Sequence, residues 1–338
     1  MGRERTIGDE RAFAWYEPRP PMTQAQSPSE SSAAPRTPFR AGHIALVGRP
    51  NVGKSTLLNA LLGEPIAITS PQPQTTRDQI RGIVTTERAQ FVFVDTPGLH
   101  QSRSKLGAHM NEAAKAASTS SELVVVVIDL GRGDPPALAD ADFKLIEEMS
   151  AEFKTIVVVN KIDLIKEKVK LLPILERLSA LEQVVAVIPL SARRVDGLDR
   201  LLGEIEPHLP ESEPLFETDA LSDKPVRFFV AEFVREQILR KTRQEIPHGV
   251  ATVVERFDDS GPVVHIDVVI HTLRESHKKI LIGKGGELLK QVGTDARARV
   301  ESMLDRKVFL KLFVRVTPSW QDSDALLTEL GYSKVEST

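Results

Sequence analysis

The stretch GRPNVGKS, Gly48 to Ser55, spaces two glycines, a lysine and a hydroxyl as G-x-x-x-x-G-K-[ST], the pattern of a loop whose backbone amides cradle phosphate. It follows the apolar run Ile44–Val47 and opens a helical run at Lys54. The amides of Asn51 to Ser55 would therefore face a phosphate at a helix N-terminus, where the dipole favours an anion. Lys54 would neutralise the outer phosphate oxygens and Ser55 would offer a hydroxyl to Mg²⁺. Gly48, Arg49, Pro50, Asn51, Val52, Gly53 and Thr56 are the further candidate contacts of this loop.

Three later motifs fall at the ends of other apolar runs. In VDTPG (Val94–Gly98), Asp95 could reach Mg²⁺ through water and Gly98 could give an amide to a terminal phosphate, with Thr96, Pro97 and Leu99 beside them. In NKID (Asn160–Asp163), the carboxylate of Asp163 would accept from both N1–H and N2–H₂ of guanine. Adenine returns no such pair, and the carboxylate would be left buried and unsatisfied. Lys161 would cover the ring, Asn160 would tie neighbouring loops together and Ile162 lies between them. In PLSARR, a backbone amide of Ser191 or Ala192 could meet guanine O6. Each motif alone also fits an ordinary turn, but the four in this order describe a guanine-nucleotide site. A metabolic P-loop kinase would leave NKID without a role.

A second constellation lies far downstream. IGKGGE (Ile282–Glu287) sets G-x-x-G, Gly283 to Gly286 with Lys284 and Gly285 inside, between two helical segments. Glycines there permit close approach to a nucleic-acid backbone, and Lys278, Lys279, Lys284 and Lys290 supply charge. Ile280, Leu281, Ile282, Leu288, Leu289 and Val292 are expected to pack beneath. From Arg274 to Arg315 there are eleven Lys and Arg against five Asp and Glu, although the whole chain has a net charge of −3. Phe309 and Phe313 alternate with Lys311 and Arg315 on one face of a strand and are assigned to the core. His265 and His271 are assigned to surface or satisfied positions.

These residues need two kinds of scaffold. Strand runs at Ile44–Val47, Phe91–Asp95, Leu123–Asp129, Ile156–Asn160 and Val184–Pro189 alternate with helical runs, which predicts a mostly parallel sheet with helices on both faces. Ile80–Thr86 and Gln90–Asp95 are close enough for a hairpin that adds an antiparallel edge. The acidic, proline-bounded segment Pro210–Pro225 reads as a linker. Beyond it, Val230, Phe233, Val234 and Ile238 repeat at helical spacing, while Val264 to Ile270 and Leu310 to Val316 alternate as strands, giving the order helix, strand, strand, helices, strand. Residues 1–40 are rich in Pro, Ser and charge and are expected to be a disordered tail, with Met22 an alternative start. The acids Glu4, Asp9, Glu10, Glu17 and Glu30 argue against a transit peptide.

At 338 residues, 41% hydrophobic and 27% charged, the chain has room for two cores and no apolar run of membrane-spanning length. It has no cysteine, which excludes disulfides, thiolate catalysis and Cys-ligated metals and fits an intracellular setting.

GRPNVGKSTLLNALLG, ITSPQPQTTRDQIRGI, VDTPGLH and LIGKGGELLKQVGTDAR together resemble the Era family of bacterial GTPases, from Gly42 to about Tyr332. The resemblance implies a P-loop G domain at 41–210, a linker at 211–224 and a type II KH RNA-binding domain at 225–338, its closing helix built on Leu326, Leu327 and Leu330. It implies a GTPase using GTP/GDP and Mg²⁺, with Ser55, Thr76 and Asp95 at the metal and Lys54, Thr76 and Gly98 in catalysis. Glu64 to Arg77 would be a phosphate-sensing switch, with Thr75 the alternative to Thr76, and Leu99 to Lys105 a second. The implied partners are 16S rRNA near its 3′ end and the 30S subunit, bound by a cytoplasmic monomer that contacts the inner face of the membrane peripherally, through basic charge and no anchor. Leu99 stands where small GTPases carry a water-orienting glutamine and cannot hydrogen-bond water. Asn51 stands where potassium-stimulated relatives hold K⁺, and it could equally bond a switch backbone. A constitutive RNA-binding scaffold whose G domain only senses nucleotide is the competing reading.

Overall fold

Valine and isoleucine crowd the central strands, LVVVVID and TIVVVN, because both faces of these strands are covered by helices. The computed structural model describes residues 38–70, 72, 75–98, 104–131, 133–243 and 246–332, all within one compact unit. Strands β1 (Arg40–Val47), β2 (Ile80–Thr85), β3 (Ala89–Asp95), β4 (Leu123–Asp129), β5 (Thr155–Asn160) and β6 (Val184–Pro189) form one sheet in the order β2-β3-β1-β4-β5-β6. All neighbours are parallel except β2 with β3, the expected antiparallel edge. Helices α1 (Lys54–Leu62), α2 (Lys105–Thr119), α3 (Asp140–Glu152), α4 (Leu172–Ser179) and α5 (Leu198–Ile205) pack around it. The switch from β2-β3-β1 to β4-β5-β6 opens a crevice at the carboxyl ends of the strands, where α/β sheets bind ligands.

The second half runs α6 (Val226–Lys241), β7 (Val250–Asp258), β8 (Val263–Thr272), α7 (Glu275–Ile282), α8 (Glu287–Leu304), β9 (Lys307–Val316) and α9 (Asp324–Glu329). Its sheet has the order β7-β8-β9, antiparallel then parallel. Val264, Ile266, Val268 and Ile270 of β8 turn inward with Val308, Leu310, Leu312 and Val314 of β9 onto the core that includes α6 and α8. The other face of β9 is not covered. Phe309 and Phe313, assigned to the core from the sequence, are 47% and 49% exposed, because alternation pairs residues on a face without saying which face is packed. Ile280 is likewise 52% exposed rather than packed under the glycine loop.

The proline-bounded segment expected as a linker is strapped to the first sheet. Ile83 N–H donates to Leu221 O at 3.0 Å, and the buried Gln90 side chain accepts from Leu215 N at 2.7 Å and Phe216 N at 2.9 Å and donates to Phe216 O at 2.9 Å. The edge strand β2 is thereby covered. Arg40, expected as the last tail residue, is already in β1, while residues 1–37 lie outside the described residues. Among the described residues no helix is long and apolar enough to cross a membrane.

Helix α6 is buried on nearly every side. Val230, Phe233, Val234 and Ile238 join the core shared with the three-stranded sheet, and its polar side carries Glu232, Arg235 and Glu236 against the segment Glu64 to Arg77. Arg235, fully buried, forms a two-pronged pair with Glu232 at 2.8 and 2.6 Å and also donates to Thr75 O. Glu236 accepts from Thr69 N at 2.9 Å and Arg240 at 3.0 Å. Farther along, Leu106 and Met110 of α2 meet Ala251, Trp320, Leu327 and Leu330, so α9 closes against the first half of the chain.

Removing Arg235 would leave Glu232 charged and buried without its partner. Arg235→Ala is expected to cost about 3–5 kcal/mol in urea unfolding, whereas Arg81→Ala, at an exposed pair with Asp223 2.7 Å away, should cost under about 1 kcal/mol. Equal small losses would contradict the buried role.

Candidate nucleotide and nucleic-acid sites

The loop between β1 and α1 turns on glycines that could not be replaced. A Cβ on Gly48, at φ 155, would lie 2.3 Å from Val127 O, and one on Gly53, at φ 105, would lie 2.4 Å from Asn160 Nδ2. Lys54 is buried and its Nζ donates back to Gly48 O at 2.9 Å and Arg49 O at 3.4 Å. Burial pushes its pKa down and the Asp95 charge opposes that shift. Asp95, at the end of β3, is also fully buried, which pushes its carboxyl up, while Lys54, Ser55 and Thr76 hold it down.

Three candidate metal ligands converge. Ser55 Oγ donates to Asp95 Oδ2 at 2.7 Å, Thr76 Oγ1 lies 2.9 Å from Ser55 Oγ, and Thr76 reaches Asp95 Oδ2 at 3.4 Å. Asp95 Oδ1 is buried with no hydrogen-bond partner. Two hydroxyls and one carboxylate suit a hard cation that keeps waters, as Mg²⁺ does. A cluster of three or more His, Cys, Asp or Glu is absent among the described residues. Thr75, the alternative to Thr76, is turned the other way, onto Ser70 Oγ at 2.8 Å and Gln72 O at 2.7 Å. Gly98 lies against the loop, where a Cβ would come within 2.9 Å of Pro50 N.

Two cavities meet here. One of about 350 Å³ is lined by Asn51, Lys54, Ser55, Thr75, Thr76 and Gly98, and by Ile68, Thr69 and Ser70, which were not singled out in the sequence. The other, of about 490 Å³, is lined by Asn160, Lys161 and Asp163 together with Asp129, Leu130 and Arg193. Gly53, Thr56 and Lys161 belong to both, so the phosphate end and the base end form one site. Asn160 ties it together, donating to Val52 O at 3.0 Å and accepting from Lys161 N at 2.7 Å and Ala192 N at 3.1 Å. Lys161 Nζ bridges Asn51 O and Asp129 Oδ2, each at 2.5 Å. Asp129 was legible as the carboxylate ending β4, level with Asn160 across the sheet.

Several sequence candidates serve differently. The Arg49 guanidinium points to Asp142 of α3, at 2.5 and 2.6 Å, and not into the cavity. Thr96 is fully buried and donates to Leu46 O at 2.7 Å. The amides of Ser191 and Ala192, expected at guanine O6, donate instead to Asp196 O and Asn160 Oδ1, each at 3.1 Å. Ser191 contributes its hydroxyl, which donates to Asp163 Oδ1 at 2.7 Å. Pro97 and Ile162 flank the site without lining either cavity, and Leu99 to Arg103 lie outside the described residues.

In the second half, Gly283, Gly285 and Gly286 take φ of 73, 62 and 81° between α7 and α8, a region that favours glycine. Lys279, Lys284, Gly285 and Lys290 are exposed, and Lys278 is half-buried. Beside this loop a groove of about 450 Å³ runs between Gly286, Lys290, Gly293 and Arg297 on one wall and Leu310 and Leu312 of β9 on the other.

The comparisons agree with both halves. A model described as 50S ribosome-binding GTPase matches residues 43–161, and a KH domain model matches residues 245–321. GTPase Era of Nitratidesulfovibrio vulgaris (strain DP4) is 42% identical over 309 residues, 89% of this chain and 99% of that protein. GTPase Era of Bordetella pertussis (strain Tohama I) is 42% identical over 295 residues, 87% of this chain and 98% of that one. The crystal structure of Era in complex with MgGDPNP and nucleotides 1506-1542 of 16S ribosomal RNA superposes with a TM-score of 0.82 at 35% identity, covering 87% of this chain and 99% of that one. An Aquifex aeolicus Era variant bound to GDP and AlF4⁻ gives the same score and identity over 87% and 100%. With a P-loop site and a KH module in one chain, and relatives matched along almost their whole length, the chain belongs to the Era family of GTPases.

Proposed function

We propose that this chain binds GTP with Mg²⁺, hydrolyses it to GDP and phosphate, and binds 16S ribosomal RNA near its 3′ end during assembly of the small ribosomal subunit. The observation that carries the reading is the joined cavity whose one end gathers Lys54, Ser55, Thr76 and Asp95 and whose other end is lined by Asp163. The solved relative that carries a GTP analogue and a 16S fragment supports both parts. Residues 41–210 act as the G domain, 211–224 as the connection and 225–338 as the KH domain. The protein works as a cytoplasmic monomer on the 30S subunit, and contact with a membrane would rest on basic charge alone.

In this reading Asp163 takes the guanine N1–H and N2–H₂, held in place by Ser191, and Lys161 covers the ring. Ser55, Thr76 and Asp95 would hold Mg²⁺, which when bound offsets charge on the β- and γ-phosphate oxygens. Lys54, already dehydrated, gives up little solvation when a phosphate replaces its carbonyl partners, so its charge acts strongly as the bond to the leaving oxygen lengthens. The Gly98 amide and the backbone around Thr76 would position the water. For the RNA, Gly283 to Gly286 with Lys284 would clamp the backbone, with Lys278, Lys279 and Lys290 supplying charge around the groove.

Guanine choice is tested at Asp163. Asp163→Asn should weaken GTP binding by roughly 3 kcal/mol, the scale of a broken buried recognition, and an unchanged preference for GTP over ATP would show that the base end has been misassigned. The cation is tested at Asn51, which lines the phosphate end. With K⁺ held there, turnover is faster in K⁺ than in Na⁺ at equal ionic strength and Asn51→Ala abolishes the difference. Equal wild-type rates in both salts, with and without 30S subunits, would remove K⁺ from the scheme.

A further inference from the structure

Strand β9 has two sides with different fates. Leu310 and Leu312 form a wall of the groove beside the glycine loop, while the residues between and beyond them, Phe309, Lys311 and Phe313, stand on the opposite face of the sheet with Lys307 and Arg315. That face is open. Phe309 and Phe313 are about half exposed, His265 of β8 lies 5.3 Å from the Phe309 ring, and Lys311 Nζ sits 5.4 Å from the same ring. Val269, the register partner of Phe313, is buried on the same side of the sheet. The carboxylates nearby are Asp267, across from Lys311, and Glu255 and Asp258, which pair with Arg315 at 3.1 Å and Arg256 at 2.8 Å. Lys307 and Lys311 make no ion pair among the described residues.

We propose that this open face is a second RNA-contact surface, on which bases of a single strand leaving the groove stack against Phe309 and Phe313 while Lys311 meets the phosphate between them. The proposal rests on the RNA-binding reading of the groove and extends it. Rows of aromatic rings separated by cations are how sequence-tolerant single-strand binders are built, since every base has a face to stack and every nucleotide a charge. The core of a protein-docking face is instead depleted in lysine. Phe309 and Phe313 are about 13 Å apart along the strand, so each ring takes its own base. β9 is the unpaired edge of its sheet, so a strand in the groove has only to pass over that edge to reach the rings.

The test compares two single-stranded RNAs from the 3′ end of 16S rRNA, one just long enough for the groove and one extended at both ends, with 2-aminopurine placed in the extensions. Wild-type protein should bind the extended RNA more tightly and quench the 2-aminopurine. The double variant Phe309→Leu, Phe313→Leu keeps an apolar surface but no ring. It should bind the short RNA as wild type does and lose roughly tenfold per ring on the extended one, together with the quenching. Lys284→Asp should weaken both RNAs. If wild type binds both lengths equally and the double variant matches it, the groove stands and the sheet-face proposal is overturned. If wild type binds neither, the RNA-binding reading itself has failed. If the double variant changes only the sedimentation of the protein, the face is a contact between proteins and the proposal is again overturned.

Discussion

Thr75, Thr76 and Arg77 join the two halves of this chain through three neighbouring residues, each by a different group. The Thr75 carbonyl accepts from the buried Arg235 of α6. The Thr76 hydroxyl lies 2.9 Å from Ser55 and 3.4 Å from Asp95. The Arg77 guanidinium, only 4% exposed, donates to Pro247 O at 3.1 Å and His248 O at 2.9 Å and to Val250 O, with the Trp320 ring 5.7 Å away. A shift of the backbone at Thr76 therefore cannot leave Arg235 and Arg77 unaffected, because hydrogen bonds from charged donors to buried carbonyls are each worth about 1.5–3 kcal/mol.

This constraint explains features that neither half explains alone. Helix α6 can bury Glu232, Arg235 and Glu236 because the segment Glu64 to Arg77 offers them backbone partners. Trp320 donates to Gly249 O at 3.2 Å and stacks on Tyr332, which brings the chain beyond β9 to the same corner that receives Arg77. The second half is thus hydrogen-bonded to the segment that contributes Thr76 to the candidate metal site. Coupling between two sites needs an element whose position both of them bias, and these three residues, bonded to both halves of the chain, are the candidate for one.

Much of this was legible in the sequence, and the exceptions have a common cause. Runs such as LVVVVID announce buried parallel strands from their own composition, and the four nucleotide motifs place themselves at strand ends. Strand β7 was only counted, not located, because its bulge between Val254 and Arg256 breaks the alternation. Pro210–Pro225 reads as a free linker because the Gln90 side chain that holds it lies 125 residues away in sequence from Leu215. Phe309 and Phe313 read as core because periodicity assigns residues to a face, and only the tertiary arrangement decides which face is covered. The local partners of the Ser191 and Ala192 amides, Asp196 and Asn160, were not legible because they depend on the turn after β6 and on its neighbour across the sheet.

The central claim is that nucleotide state and RNA binding act on one another through Thr75 to Arg77. Its most direct measurement is the affinity of the protein for a single-stranded RNA from the 3′ end of 16S rRNA in the presence of a non-hydrolysable GTP analogue and of GDP, alongside the affinity for each nucleotide with and without that RNA. The account predicts that the RNA affinity differs between the two nucleotide states, and that RNA changes the ratio of the two nucleotide affinities by the same factor, as linkage requires. Identical RNA affinity in both states would contradict it.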